Sequence, residues 1–85
     1  MFKIGDIVEC AEDNPYQQYF YRYSEIKSLD EIGYVGVPYE ADLSYSLTVR
    51  TGEEPNWRAS LFKKIEHPET LPCYKYILLH GHSPE

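Results

Sequence analysis

The chain has 85 residues and a formal net charge of −6, and nine of its aromatic residues are Tyr. A chain of this length supports one domain with one small core, and its acidity disfavours binding to phosphate backbones. No window reaches the roughly 18 continuous apolar residues of a membrane span, and the start lacks the apolar core of a signal peptide, so we expect a cytosolic protein with no membrane contact. Cys10 and Cys73 are then expected to be free and buried.

The negative charge is concentrated in the first half of the chain. Residues 1–43 hold nine acidic and three basic side chains, whereas residues 44–85 hold five of each. An acidic surface of this kind favours a basic partner. Two other interpretations stay open, namely a charge that only keeps the protein soluble, and an imitation of a phosphate backbone as in DNA-mimic inhibitors.

The first half of the chain reads as strands separated by turns. A turn at Gly5-Asp6 leads into a predicted first strand over residues 7–11, of which only one face is expected to be core. The Asp13-Asn14-Pro15 cluster ends that strand. Residues 19–29 are predicted to form one extended segment, open to interruption, and the glycine-containing run 32–37 a curved strand.

The second half of the chain has the clearest alternation, over residues 45–50, followed by predicted strands at 57–59 and 63–66 around a 3₁₀ turn at 60–62. A proline-bounded linker over 67–72 leads to a predicted final strand over 73–79 that could lie along an open sheet edge or pair with a second copy. Residues 81–85 are expected to fray. The predicted core consists of apolar residues from the alternating runs: Val8, Ile26, Val35, Leu47, Val49, Leu61, Phe62 and Ile65.

Two short motifs near the ends of the main strand region resemble the first and last strands of SH3-like small barrels. They are Phe2-x-x-Gly5-Asp6-x-Val8 and Trp57-x-x-x-Leu61-Phe62-x-x-Ile65. In that family a GD-x-V turn opens the first strand, and an L-x-x-I segment closes the barrel through a 3₁₀ turn. The resemblance covers about residues 2–66.

The resemblance implies a mostly β fold, with a five-stranded SH3-like barrel and its 3₁₀ turn over residues 1–66. Residues 67–85 would add a linker and a C-terminal edge strand with a frayed end. The motif and the Trp pair of the Pro-rich peptide binders are absent from the sequence. Size and acidity are similar to those of short phage-encoded accessory proteins. Function is not fixed by such a fold and has to be argued from a site.

The most unusual segment is a tyrosine cluster with acidic neighbours. Alternation would expose about half of it, and Tyr offers a large, rigid contact area. The other interpretation is that one face is core and the other only covers an edge. We interpret the chain as an acidic, non-catalytic protein-binding module, with a basic or polar-aromatic protein partner. The predicted contact residues are Tyr16, Tyr19, Tyr21, Tyr23, Glu12, Asp13 and Glu25.

Enzymatic and metal chemistry receive weaker support from the sequence. Neighbouring carboxylates on a strand or turn point apart, and the chain has no glycine-rich phosphate loop or nucleophile elbow, so we expect neither an enzyme nor a cofactor. A zinc or redox site remains the weakest alternative, because the four suitable ligands lack C-x₂-C spacing. These ligands are Cys10, Cys73, His80 and His82. Trp57 is predicted to pack on the core.

Overall fold

The described part of the protein is built around two small antiparallel sheets, each of three strands. The computed structural model describes residues 2–38 and 56–84. Within these residues the strand order is β2-β1-β6 in one sheet and β3-β4-β5 in the other. The strands are β1 Ile7–Cys10, β2 Tyr23–Glu25, β3 Ser28–Leu29, β4 Tyr34–Gly36, β5 Asn56–Arg58 and β6 Phe62–Lys64.

The mostly β prediction is confirmed, but the described strands form two separate ladders and no closed barrel. A 3₁₀ turn does connect β5 to β6, at Ala59–Leu61, one residue before its predicted place. Further 3₁₀ turns cover Gln17–Tyr19 and Pro68–Thr70. The alternating run 45–50 lies outside the described residues.

The predicted extended segment 19–29 is interrupted twice. Tyr19 belongs to a 3₁₀ turn, so the alternation expected from residue 19 onward begins only after it. Between β2 and β3 the chain passes from one sheet to the other. The N–H of Ile26 donates to the carbonyl of Asp6 at 2.9 Å, and the N–H of Lys27 donates to that of Gly36 at 2.6 Å.

The core lies between the sheets and is mainly aliphatic and aromatic. Of the predicted core, Val8, Ile26, Val35 and Phe62 are buried. Leu61 and Ile65 are only half-buried, since they lie in the 3₁₀ turn and just after the end of β6. Leu47 and Val49 lie outside the described residues. The buried cluster comprises Val8, Phe20, Ile26, Val35, Val37 and Phe62.

Strand β1 is buried on both faces, contrary to the expectation of a single core face. Val8 points into the main cluster, and Ile7, on the opposite face by alternation, is only 4% exposed. A C-terminal helix, α1 (Tyr74–His80), packs against the neighbouring strand β2, and its Ile77 is fully buried.

The prediction of a C-terminal edge strand over residues 73–79 is wrong, because most of this run forms helix α1. The run has one β-branched residue, Ile77, and a glycine, Gly81, stands two positions after the run. Gly81 adopts φ 85°, and its N–H donates to the carbonyl of Ile77 at 2.7 Å, a left-handed cap that ends the helix. The structure therefore does not support a homodimer formed through that strand.

The tail that follows α1 is bound to the sheet and is not frayed through residue 84. The N–H of Glu25 donates to the carbonyl of Gly81 at 2.8 Å, and the N–H of Ser83 donates to the carbonyl of Tyr23 at 2.9 Å. The N–H of Tyr23 in turn donates to Oγ of Ser83 at 3.1 Å. Residues 81–83 thus cover the outer edge of β2, which would otherwise be open to pairing.

Candidate partner-binding surface

The loop after β1 is organised by the side chain of Asn14, which is only 4% exposed. Its Oδ1 accepts a hydrogen bond from the N–H of Tyr16 at 2.8 Å, an Asx turn. Its Nδ2 donates to Sγ of Cys10 at 3.3 Å and to the carbonyl of Leu61 at 3.5 Å. The loop is thereby fastened to β1 and to the turn before β6, which fixes where Tyr16 lies.

Tyr16 stands at the outer end of a row of aromatic rings that leads into the core. Its ring centroid lies 5.2 Å from that of Trp57, which packs edge-on against Phe20 at 5.1 Å. Phe20 packs against Phe62 at 5.2 Å. Trp57 therefore packs on the core, as predicted. Tyr16 stays 44% exposed although its ring is supported from behind.

The other three tyrosines of the predicted face occupy different settings. Tyr19 is 39% exposed in its 3₁₀ turn. Tyr21 is half-buried, stacked on the ring of His82 at 3.7 Å. Tyr23 is half-buried in β2, with the guanidinium of Arg22 over its ring at 5.3 Å. The four tyrosines therefore do not share one strand face, and we call Tyr16, Tyr19, Tyr21 and Tyr23 together the tyrosine segment.

Beside this segment lies a cleft of about 730 Å³, which we call the acidic cleft. One wall comes from β1 and residues 12–23, and the other from the start of α1 and from the tail. Its lining residues are Glu9, Cys10, Glu12, Gln17, Phe20, Arg22, Tyr23, Cys73, Ser83 and Pro84.

The charge inside the cleft is partly compensated. Arg22 Nε lies 3.8 Å from Oε2 of Glu9, and both side chains are solvent-accessible, so this pair is weak. Glu12 is exposed and makes no ion pair within the described residues, and the exposed Asp13 follows it. The mouth of the cleft is therefore net negative and suits a cationic group.

The predicted acidic neighbours are only partly brought together. Glu12 lines the cleft and Asp13 lies beside it. Glu25 stands opposite Ile7, at the other end of β2 from Tyr23, and its Oε1 lies 3.3 Å from Nζ of Lys27. Glu25 is thus already paired with Lys27 and does not line the acidic cleft.

The four proposed zinc ligands do not converge. Cys10 and Cys73, which were expected to be buried, are half-buried and line the acidic cleft. His82 stacks on Tyr21, and its ring lies 6.2 Å from that of His80. In residues 2–38 and 56–84, no three His, Cys, Asp or Glu side chains are grouped closely enough to hold a metal ion.

In the same described residues, no helix is long and apolar enough to cross a membrane.

Sequence reasoning missed three contributors to this surface: Asn14, Arg22 and Ser83. The sequence predicts Asn14 only as part of the cluster that ends the first strand, although Asn two residues before an aromatic is compatible with the Asx turn observed. The sequence around Ser83 does not indicate its role, because that role depends on a contact with Tyr23, 60 positions away in sequence.

Comparisons with protein-family models, with curated proteins and with solved structures found no match.

Proposed function

We propose that the chain is a non-catalytic protein-binding module in which the tyrosine segment and the acidic cleft contact a basic or polar-aromatic segment of another protein. The observation that carries this proposal is Tyr16, which is 44% exposed yet supported by Trp57 and by the Asn14 turn. A large aromatic side chain that is already ordered loses little conformational entropy when a partner covers it.

The acidic cleft supports the same proposal by its size and composition. A volume of about 730 Å³ lies within the range of small ligand sites and accommodates a few side chains of a partner. Phe20 and Tyr23 supply aromatic surface, and the exposed Gln17 supplies an amide group that can orient a bound segment. The volume fits one short segment better than a broad protein face.

The carboxylates at the mouth of the cleft have a kinetic role in this proposal. Glu12 and Asp13 are exposed, so water screens them and they contribute little to the final affinity. Their field nevertheless attracts a positive surface before contact. Charge reversal at Glu12 should therefore slow association, and this effect should shrink as salt concentration rises.

Site-specific photo-crosslinking in an extract of the native host tests the proposal. Benzoylphenylalanine replaces Tyr19 in one variant and Tyr76 in the other, since these side chains are 39% and 38% exposed. Tyr76 lies on α1 and serves as the matched control. We expect one protein crosslinked at Tyr19 and absent at Tyr76. Identical products at both positions, or none at Tyr19, would contradict the proposal.

The alternative, an acidic inhibitor that imitates a phosphate backbone, makes a different prediction. Binding energy would be spread over many carboxylates and would depend little on tyrosine. Reversing Glu12, Asp13 and Glu66 singly should then weaken binding by similar amounts, although Glu66 does not line the acidic cleft. Under our proposal, Glu66 reversal has no effect.

The relationship to SH3-like barrels, and with it a role as a phage-type accessory or host-modulating protein, belongs to the same proposal. The 3₁₀ turn at Ala59–Leu61 supports the fold relationship, because it joins two strands where the SH3-like pattern has such a turn. An experimental structure of the whole chain would test it. A closed barrel is expected, and two sheets that stay separate would contradict it.

A further inference from the structure

A second concave surface lies away from the acidic cleft and shares no lining residue with it. We call it the apolar groove; its volume is about 470 Å³. It is formed by the N-terminal segment, the turn between β3 and β4, and the 3₁₀ turn before β6. The lining residues are Phe2, Leu29, Asp30, Glu31, Gly33, Val35, Ala59 and Ser60.

The walls of the groove are apolar and partly exposed. Leu29 is 39% exposed, and Ile32, at the turn beside the groove, is 76% exposed. Phe2 and Ala59 pack against the core from this side. Exposed aliphatic side chains gathered around a concavity are typical of an interaction surface rather than of scattered surface residues.

Gly33 makes part of the groove accessible to another backbone. Its φ is 88°, and a Cβ placed on it would have no atom within 4 Å. Its carbonyl accepts the N–H of Ala59 at 2.9 Å, which holds the two turns together. The surface around Gly33 is therefore firmly positioned and open.

The charge at the groove is of one sign. Asp30 Oδ1 accepts the N–H groups of Ile32 and Tyr34 at 3.0 and 3.1 Å, which fixes one carboxylate at the rim. Glu31 beside it is exposed and has no ion pair within the described residues. No lining residue is basic. An anionic lipid or nucleic acid would be repelled here, and a second copy of this chain, with net charge −6, is also disfavoured.

From this arrangement we infer that the apolar groove is a second docking site, for a short peptide segment that presents an aliphatic side chain next to Lys or Arg. The aliphatic side chain lies between Leu29 and Phe2, and the cation lies against Asp30 and Glu31. With the acidic cleft occupied independently, the chain could hold two partners at once.

NMR titration of the ¹⁵N-labelled full chain tests this inference with three short synthetic peptides. The first places two leucines between arginines, the second places them between glutamates, and the third replaces the leucines of the first with serines. We expect only the first peptide to shift the amide signals of Leu29, Gly33 and Ala59. Any shifts of Tyr23 and Ser83 report binding of the arginines at the acidic cleft, so the first and third peptides should give them alike. Groove shifts of equal size with the first and second peptides, groove shifts with the third, or no groove shifts would each overturn the inference.

Matched variants separate charge from apolar contact. E31K should weaken binding of the first peptide by about three- to tenfold, whereas E66K, at an exposed acid that does not line the groove, should leave that binding unchanged. Leu29→Ser should weaken binding of the first peptide by about fivefold or more. Leu79→Ser, at a leucine 81% exposed on α1, should not weaken it. Equal losses within either pair would show that binding is non-specific and would overturn the inference.

Discussion

The acidic cleft and the apolar groove are built in different ways. The cleft joins β1 and residues 12–23 to Cys73, Ser83 and Pro84, which are brought there by helix α1 and the tail. The groove is built around one tight turn, whose conformation Asp30 stabilises by accepting two backbone N–H groups. Both surfaces need long-range contacts, since the groove also takes Phe2, Ala59 and Ser60 from distant parts of the chain, but only the cleft needs helix α1 and the tail. Substitutions in the C-terminal segment should therefore damage the cleft and spare the groove.

The largest expected effect is at Ile77, which is fully buried on α1. Ile77→Ala should lower the free energy of unfolding by about 2–5 kcal/mol, because it leaves a cavity under the helix. Leu79→Ala should change it by less than about 0.5 kcal/mol, since that side chain is 81% exposed. Urea denaturation measures both.

This pair also tests the helix itself. In a strand, residues 77 and 79 would share a face and the two substitutions would have similar costs. Similar costs would contradict helix α1. Under native conditions, Ile77→Ala should also shift the amide signals of Tyr23 and Ser83 far more than those of Leu29 and Gly33.

Asn14→Ala should cost about 1–3 kcal/mol, because the N–H of Tyr16 loses its acceptor and the loop loses its attachment to Leu61. Asp13→Ala, at the exposed neighbouring position, is the control and should be nearly neutral. Thermal unfolding followed by circular dichroism compares them. Equal stabilities of the two variants would show that the Asn14 turn does not organise the loop.

Alanine substitutions at two glycines with positive φ compare the turn at the groove, which contains Gly33, with the tail beside the cleft, which begins at Gly81. Gly33→Ala should cost about 1–2 kcal/mol for backbone conformation alone, since nothing surrounds a Cβ there. Gly81→Ala carries the same backbone cost, and its Cβ would also lie 2.9 Å from Cε of Lys27. A slightly larger loss is therefore expected at Gly81. A larger loss at Gly33, measured by urea denaturation, would contradict the packing of the tail.

The smallest effect is expected at Ser24, which is 1% exposed in β2. Its Oγ is buried and has no hydrogen-bond partner among the described residues. Ser24→Ala removes a desolvated hydroxyl and should raise the free energy of unfolding by up to about 1 kcal/mol. Ser83→Ala is the comparison, and it should lower stability because Ser83 Oγ accepts the N–H of Tyr23. Destabilisation by Ser24→Ala would contradict the burial of an unpartnered hydroxyl.

The sequence predicted the local features of the fold well. Strand β1, the turn at residues 13–15 and the 3₁₀ turn near residue 60 all follow from alternation and turn chemistry, which act over a few residues. Half of the predicted core, including Val8 and Phe62, is buried for the same reason. The largest failure lies at the C-terminus, where the conformation depends on contacts with a distant strand.

Residues 73–79 show why local sequence patterns do not predict a conformation that depends on such contacts. A short apolar run has no periodicity strong enough to separate a strand from a helix. The decisive signals are the cap at Gly81 and the burial of Ile77 alone, and the second exists only once α1 lies on β2. The same tertiary contact closes the acidic cleft, so the tyrosine segment could be predicted as a candidate but the cleft beside it could not.

The most direct test of the proposed function compares Tyr19→Ala with Tyr76→Ala in their affinity for the protein captured at Tyr19. The two side chains are almost equally exposed, so a general loss of aromatic surface affects both variants alike. We predict that Tyr19→Ala weakens binding by about 1–2 kcal/mol while Tyr76→Ala leaves the dissociation constant unchanged, with both variants folded. Equal dissociation constants for the two variants and the unmodified chain would contradict a binding role for the tyrosine segment.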